Sequence, residues 1–414
     1  MSRPVLTRFL AALLTTWAGQ MTLQAESRMW TSKDGKFIQA ELLDVLNGEA
    51  VLKVNGQPVP VRVPFARLSA SDQEYLKTWK KLEPAKDSKA GEDNTKPGVP
   101  GKTGAALDAS GFPIGTNSAV KRDKNGWPEV VALKEKPAFT VVKEDKVENE
   151  FIYRSNHFEF ISTQRLSGEI VREFSRLFET AFEAAVALPL RLNPQPPAGF
   201  FRVKLYESKE AYLKAGGLSG SAGMYTGRTK EVMVPLPALG VKRIGERWVL
   251  EDRDGNHTLV HEVIHQVMHE WLPRLPVWMI EGAAEYVTAG RYGNGRLTLR
   301  GYGRNLEEYK GGGSEVKTTD LVKLMAMDHP TWIGALSGGG ASRNYRSALL
   351  LFYFFCHEDG DETGKNIIDY FQARKGKRGD DKVEREQFLL RGRDAETLRK
   401  DFKRGLAKVG IRLG

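Results

Sequence analysis

Residues 261–265 read His-Glu-Val-Ile-His, and two acids, Glu281 and Glu285, follow downstream one helical turn apart. On a helix His261 and His265 share one face, so both imidazoles can reach a single zinc ion. Glu262, beside the first histidine, can take a proton from water activated by that ion. A hydrolytic zinc needs a third protein ligand and one open position, and Glu281 is the obvious candidate for the third. The chemistry this set could perform is hydrolysis of a peptide bond. Histidine is scarce, 7 in 414 residues, yet His261, His265 and His269 crowd into one short stretch. A merely solvated helix face usually carries lysine and glutamate instead.

These residues need a helix to position them, and the local pattern predicts one. Leu259, Val260, Val263, Ile264, Val267, Met268 and Trp271 cover one half of it, and the histidines and Glu262 the other half. Asn256 or Thr258 can cap the start, and Pro273 forces the end. His269 lies eight residues beyond His261, about 12 Å along a helix, so it does not join a tetrahedral site with both other histidines. It reads as a packing residue, or as one that supports a ligand from behind. A second helix is predicted over Leu275–Gly290, with Pro276 in its first turn and Gly290 at its C-terminal cap. It places Glu281 and Glu285 on one face.

Here the sequence resembles the gluzincin peptidases, the group that includes thermolysin and the zinc aminopeptidases. Trp278-Met-Ile-Glu281-Gly-Ala-Ala-Glu285-Tyr286 matches their W-x-x-E-G-x-A-E-Y string at every fixed position. The resemblance implies that His261, His265 and Glu281 bind zinc. It also implies that Glu285 accepts the N–H of a ligand histidine and fixes its tautomer. Asn344-Tyr345-Arg346-Ser347-Ala348-Leu349-Leu350 is similar to the Y-x-K-G-A-L-L segment of the aminopeptidase branch, with Arg346-Ser347 replacing its variable-Lys-Gly. By that likeness Tyr345 stabilises an oxyanion; the alternative is a tyrosine packing on the core. The G-x-M-E-N type segment of zinc aminopeptidases is missing upstream of His261, which argues against a simple aminopeptidase. In gluzincins an edge strand beside the zinc helix pairs with the substrate backbone, and Glu231–Val234 is the expected strand.

The N-terminus reads as a leader. Arg3 and Arg8 precede an apolar run from Phe9 to about Gly19, with a cut expected after Ala25, which implies a secreted or periplasmic protein. The sole cysteine, Cys356, excludes an intramolecular disulfide, and its position excludes a lipoprotein anchor. No run is long enough for a confident membrane span.

Residues 26–83 form a separate unit. Asp34-Gly35, Asn47-Gly48 and Asn55-Gly56 are turn signals between the apolar-alternating runs Phe37–Val45, Ala50–Val54 and Val59–Val63. Ser71-Asp-Gln-Glu74 reads as a capping box. Arg28-Met-Trp30-Thr31-Ser-Lys-Asp34-Gly35, with Leu68-Ser-Ala-Ser-Asp72-Gln73, resembles the small SH3-like domain first described in endocytic adaptor proteins. That resemblance implies a small all-β barrel that binds a protein or an envelope polymer.

Residues 84–136 are expected to be a flexible linker, because Lys, Asp, Gly, Pro, Ser and Thr dominate up to about Gly126. From 137 to 414 apolar patterning returns. Strands are predicted at Glu150–Tyr153, His157–Ile161 and Phe201–Tyr206, and an amphipathic helix at Glu169–Leu188. The fold class is α+β: a small mixed sheet over a helical zinc-binding region, preceded by the small barrel. The net charge of +10 owes much to the last 45 residues, for instance Arg374-Lys-Gly-Lys-Arg378, which read as a solvated helical surface. No nucleic-acid motif accompanies the charge.

The expected function is therefore a secreted zinc-dependent peptidase acting on peptide or protein. One alternative is a non-proteolytic binding protein that keeps a zinc-peptidase fold, against which the intact base Glu262 argues. Another is a structural envelope protein whose SH3-like module does the work.

Overall fold

The computed structural model describes residues 27–33, 37–46, 48–54, 60–69, 72–73, 76, 106–219, 221–245, 247–250, 256–299, 315–337 and 341–414. The expected signal peptide, Asp34-Gly35, Asn55-Gly56 and both ends of the Ser71–Glu74 capping box lie outside them. The chain divides into two units, Met1–Asp87 and Ser88–Gly414.

In the first unit β1 (Ser27–Thr31), β2 (Phe37–Leu46), β3 (Glu49–Val54) and β4 (Val61–Pro64) form an antiparallel sheet in sequential order. Gly48 turns between β2 and β3 with φ of 79°, a conformation that costs glycine little. Alternate residues Ala40, Leu42, Ala50 and Leu52 point inward around Trp30, whose indole N–H donates to the Ala40 carbonyl at 3.0 Å. Ser69 accepts the amide of Asp72 at 3.2 Å, and Leu76 beyond it is buried.

The second unit is mixed α+β. Its main sheet has six strands in the order β13-β14-β12-β11-β10-β9. These are β9 (Thr140–Asp145), β10 (Glu150–Arg154), β11 (Phe158–Ser162), β12 (Phe201–Tyr206), β13 (Met224–Thr226) and β14 (Glu231–Pro235). The pairs β11–β12 and β12–β14 are parallel and the others antiparallel. Helix α1 (Gly168–Ala187) covers one face. Ser167 caps it by accepting the amide of Ile170, and its Phe178 ring sits 5.2 Å from both Phe158 and Phe160. Beyond the sheet lie α2 (Lys209–Lys214) and the hairpin β15 (Val241–Ile244) and β16 (Arg247–Leu250). Then come α3 (Asn256–Val267) and α4 (Val277–Thr288). The hairpin β17 (Arg291–Gly293) and β18 (Arg296–Thr298) follows, with positive φ at both Asn294 and Gly295 in its turn. Further helices are α5 (Leu321–Met325), α6 (His329–Ser337), α7 (Ala341–His357), α8 (Lys365–Arg374) and α9 (Ala395–Lys408). The apolar run of α7 is buried core. Among the described residues no helix is long and apolar enough to cross a membrane.

Two sequence expectations are corrected here. The linker expected over 84–136 ends before residue 106. The segment beyond forms β5 (Ala106–Leu107), β6 (Pro113–Ile114), β7 (Ser118–Arg122) and β8 (Pro128–Leu133), and β8 pairs with β18. Mean composition missed how its polar residues are used. Asp108 accepts the amides of Ser110 and Phe112, and Asp123 those of Asn125 and Trp127, so each closes a turn. Arg122 donates to Asp108 and to the carbonyls of Pro113, Gly126 and Ala187, the last at the end of α1. Trp127 is fully buried; its N–H reaches the Thr363 carbonyl at 3.0 Å, and its ring touches Tyr286 of α4 and His357 of α7. The second correction is Arg374, which is buried rather than solvated. It donates to the carbonyls of Arg274, Gly379 and Asp380 and to Glu384.

Removing the Trp127 indole should leave a cavity between β8, α4 and α7. Trp127→Ala should lower unfolding stability by about 3–5 kcal/mol, whereas Val147→Ala, at a valine 86% exposed in a hairpin, should leave it unchanged. Equal denaturation midpoints for the two variants would show that 106–133 is no part of the core.

Burial holds the His357 imidazole down from an ordinary value near 6.5 to about 3, so the folded protein keeps it neutral where the unfolded chain protonates it. The unfolded state binds the extra proton between those values, so this contribution is present above about pH 6.5 and is lost as pH falls toward 3. It amounts to about 1.4 kcal/mol per pH unit. Urea titrations of wild type and His357→Gln from pH 6.5 to 4 should differ in slope by that one proton.

Candidate metal centre

Helix α3 buries Leu259, Val260, Val263, Ile264 and Val267 and turns His261, Glu262 and His265 the other way. Gln266, wholly buried, donates to the carbonyls of Arg202 at 2.7 Å and Lys230 at 3.2 Å. That amide ties the helix to the starts of β12 and β14. The helix ends at Val267, ahead of Pro273, because the chain turns back at once with the Trp271 amide on the Met268 carbonyl. Pro276 stands just outside α4 as its N-cap residue. Ala289, in a right-handed conformation, replaces the expected Gly290 as the C-cap. Gly290 serves packing instead, since a Cβ there would lie 2.9 Å from Leu299.

Three side chains from the two helices converge. His261 Nε2 is 2.9 Å from His265 Nε2 and 3.2 Å from Glu281 Oε2, and His265 Nε2 is 3.4 Å from that same oxygen. Donor atoms of His261, His265 and Glu281 all lie within 4.8 Å of one another. Two imidazole nitrogens and a carboxylate oxygen are a ligand set that zinc favours, and their separations suit one small cation at the common point. Glu285 Oε1 lies 3.0 Å from His261 Nδ1. A proton on Nδ1 then leaves the Nε2 lone pair turned to the centre.

The electrostatics follow from crowding in an apolar setting. Burial alone would raise the Glu281 carboxyl, but the neighbouring charges and hydrogen bonds of His265 and His261 hold it far below the usual carboxylate range. Burial works against a charge on His261, but hydrogen bonds to Glu281 and Glu285 carry its pKa well above the ordinary value. Burial raises Glu262, opposed by His261, His265 and the amide of Tyr225. His269 stands apart. Its ring lies edge-on to Phe201 at 6.2 Å, and burial lowers its pKa.

Tyr345 comes to the same place from α7. Its ring meets His261 edge-on at 5.8 Å and Trp332 of α6 at 5.3 Å. Burial, and then the charge of Glu281, push its phenol above the ordinary range, so it keeps its proton at neutral pH. What permits this approach is Gly282, next to Glu281. A Cβ on Gly282 would stand 2.6 Å from the Ala348 carbonyl oxygen and 2.9 Å from Phe352 Cβ, so only glycine lets α4 lie this close to α7. The sequence reading passed over Gly282, although the Glu-Gly step in the string 278–286 was its signal.

The sheet edge differs from the expectation. Glu231–Val234 lies in β14, an interior strand between β12 and β13. The edge beside α3 is β13, and the amide of its central residue, Tyr225, donates to Glu262 Oε2 at 2.6 Å. A three-residue strand inside a Gly-rich segment has too little periodicity to be read from sequence.

Residues 20–83 match the family model of SLA1 homology domain 1, SHD1. The match takes in β1–β4 and supports an SH3-like N-terminal domain. It begins at residue 20, inside the segment 1–25 expected as a leader. No curated protein and no solved structure matches the chain.

The α4–α7 contact can be tested by one methyl group. Gly282→Ala should force the helices apart and destabilise the protein by about 1–3 kcal/mol. Gly334→Ala in α6, where nothing lies within 4 Å of an added Cβ, should be neutral or stabilise by up to about 1 kcal/mol. Thermal melts compare them; an unshifted Gly282→Ala melt would mean that the helices have room to spare.

Proposed function

We propose that the second unit is a zinc-dependent peptidase of gluzincin type. The observation that carries this reading is the convergence of His261, His265 and Glu281 on one point with Glu262 beside them. His261, His265 and Glu281 would hold the metal, and Glu285 would orient His261. When bound, zinc supplies Lewis acidity, which acidifies water and polarises a carbonyl.

The chain's own groups account for the remaining work. An extended peptide can lie beside β13, the edge strand of the main sheet. The Glu262 carboxylate takes the proton of the attacking water as its oxygen bonds to the carbonyl carbon. Glu262 then delivers that proton to the amine as the C–N bond breaks. The protonated Tyr345 phenol, whose ring meets that of His261, would donate a hydrogen bond to the oxyanion. Together with the leader expected at 1–25, this makes the protein a secreted or periplasmic hydrolase of peptides or proteins. Its SH3-like domain would bind a protein or an envelope polymer.

Elemental analysis of the purified full chain should find about one zinc per molecule, and Glu281→Ala should lose it at least about tenfold more readily. Glu262→Gln should keep the zinc and the melting temperature while abolishing hydrolysis of a mixed peptide library. Stoichiometric zinc with no cleavage by the unmutated protein would sink the peptidase reading and leave the binding-protein alternative.

A further inference from the structure

The amide of Tyr225 is the hydrogen bond that joins the sheet to the base of the proposed reaction. Tyr225 is the middle residue of β13 and lies opposite Val232 of β14. In an antiparallel pair the N–H and C=O of one residue point the same way, and successive residues alternate. The Tyr225 N–H points at Glu262 Oε2, 2.6 Å away on α3, so it lies on the outer side of the strand. The ladder to β14 falls to Met224 and Thr226.

Glu262 is half-buried and has several rotatable bonds, so a base there needs something to choose its rotamer. Among the described residues Oε2 takes one hydrogen bond, from Tyr225, and Oε1 takes none. A hydrogen bond from N–H to a carboxylate is short and roughly twice as strong as a neutral one. A backbone amide in a strand cannot rotate away, as a side-chain donor could. The Tyr225 ring serves separately, packed half-buried against the core.

We propose that the backbone amide of Tyr225 is the positioning group for Glu262, anchoring Oε2 so that Oε1 faces the reacting water. The edge strand is then part of the catalytic machinery rather than only a rail for substrate. This rests on the peptidase reading for its catalytic consequence, but the anchoring itself is observable without turnover.

Amide hydrogen exchange on the full chain tests the anchor. In wild type the Tyr225 amide should be protected although it faces away from its partner strand. In Glu262→Ala it should exchange at least about tenfold faster, while Met224 and Thr226 stay unchanged. Equal exchange of Tyr225 in the two proteins would overturn the proposal whether or not the protein cleaves peptides.

Kinetics then test the consequence. Proline is tolerated on an edge strand where its missing N–H faces outward, so Tyr225→Pro deletes the anchor at no cost to the ladder. Tyr225→Ala removes the ring and keeps the amide. Tyr225→Pro should have a kcat about ten- to a hundredfold below that of Tyr225→Ala, at nearly constant KM and zinc content. Matching kcat values for the proline and alanine variants would refute the positioning role. Absence of turnover in zinc-loaded wild type would refute the peptidase reading instead, and leave the exchange result to decide the anchor.

Discussion

Ionisable groups can be buried together only if they satisfy one another, and that requirement organises the second unit. His261, His265, Glu281 and Glu285 meet between helices whose other faces are apolar. Isolated, each would cost several kcal/mol to bury in its charged form. Together, Glu285 takes one nitrogen of His261, Glu281 faces the other, and His265 completes the set. The pairing works only while α3 and α4 keep their mutual placement. Much of the surrounding architecture serves that placement.

Each helix is held from behind by a different device. Gln266 bonds α3 to two strand carbonyls, while Gly282 lets α4 settle against the backbone of α7. Trp127, from the turn just before β8 and far upstream in sequence, fills the space beside Tyr286 and His357. The Tyr286 hydroxyl in turn lies 2.9 Å from His357 Nε2. The helix that carries two of the acids is thus bounded by α7 and by the strand arm that precedes the main sheet. Packing at interior density transmits small displacements, so a change at any of these contacts is felt at the site.

The sheet and the helical region are joined where β13 meets α3. There a backbone donor on the last strand meets the carboxylate next to the first histidine. A sheet edge normally leaves its outer donors to water or to a partner strand. Here the central one is used inside the molecule, which couples the order of the strand to the conformation of a side chain on the helix.

What the sequence determined by itself was local and periodic. The one-turn spacings of His261 and His265 and of Glu281 and Glu285, and the apolar half of α3, follow from the 3.6-residue repeat. So does α1, whereas the alternation in β2, β3 and β12 follows from the two-residue period of a strand. The SH3-like character of the first unit was legible for a similar reason, since Trp30 and the turn glycines sit at fixed offsets. What only the tertiary structure decided involves partners distant in sequence. The Tyr225 amide meets Glu262 across 37 positions, and the Trp127 N–H reaches Thr363 across 236. A glycine such as Gly282 is defined by the atoms it admits, and no local pattern names them. The segment 106–133 read as linker because composition averages over residues. In the fold, its aspartates close turns, its arginine gathers carbonyls, and one tryptophan enters the core. Spacing along a helix is set by the chain's own geometry, whereas contacts between elements depend on burial, which no local window contains.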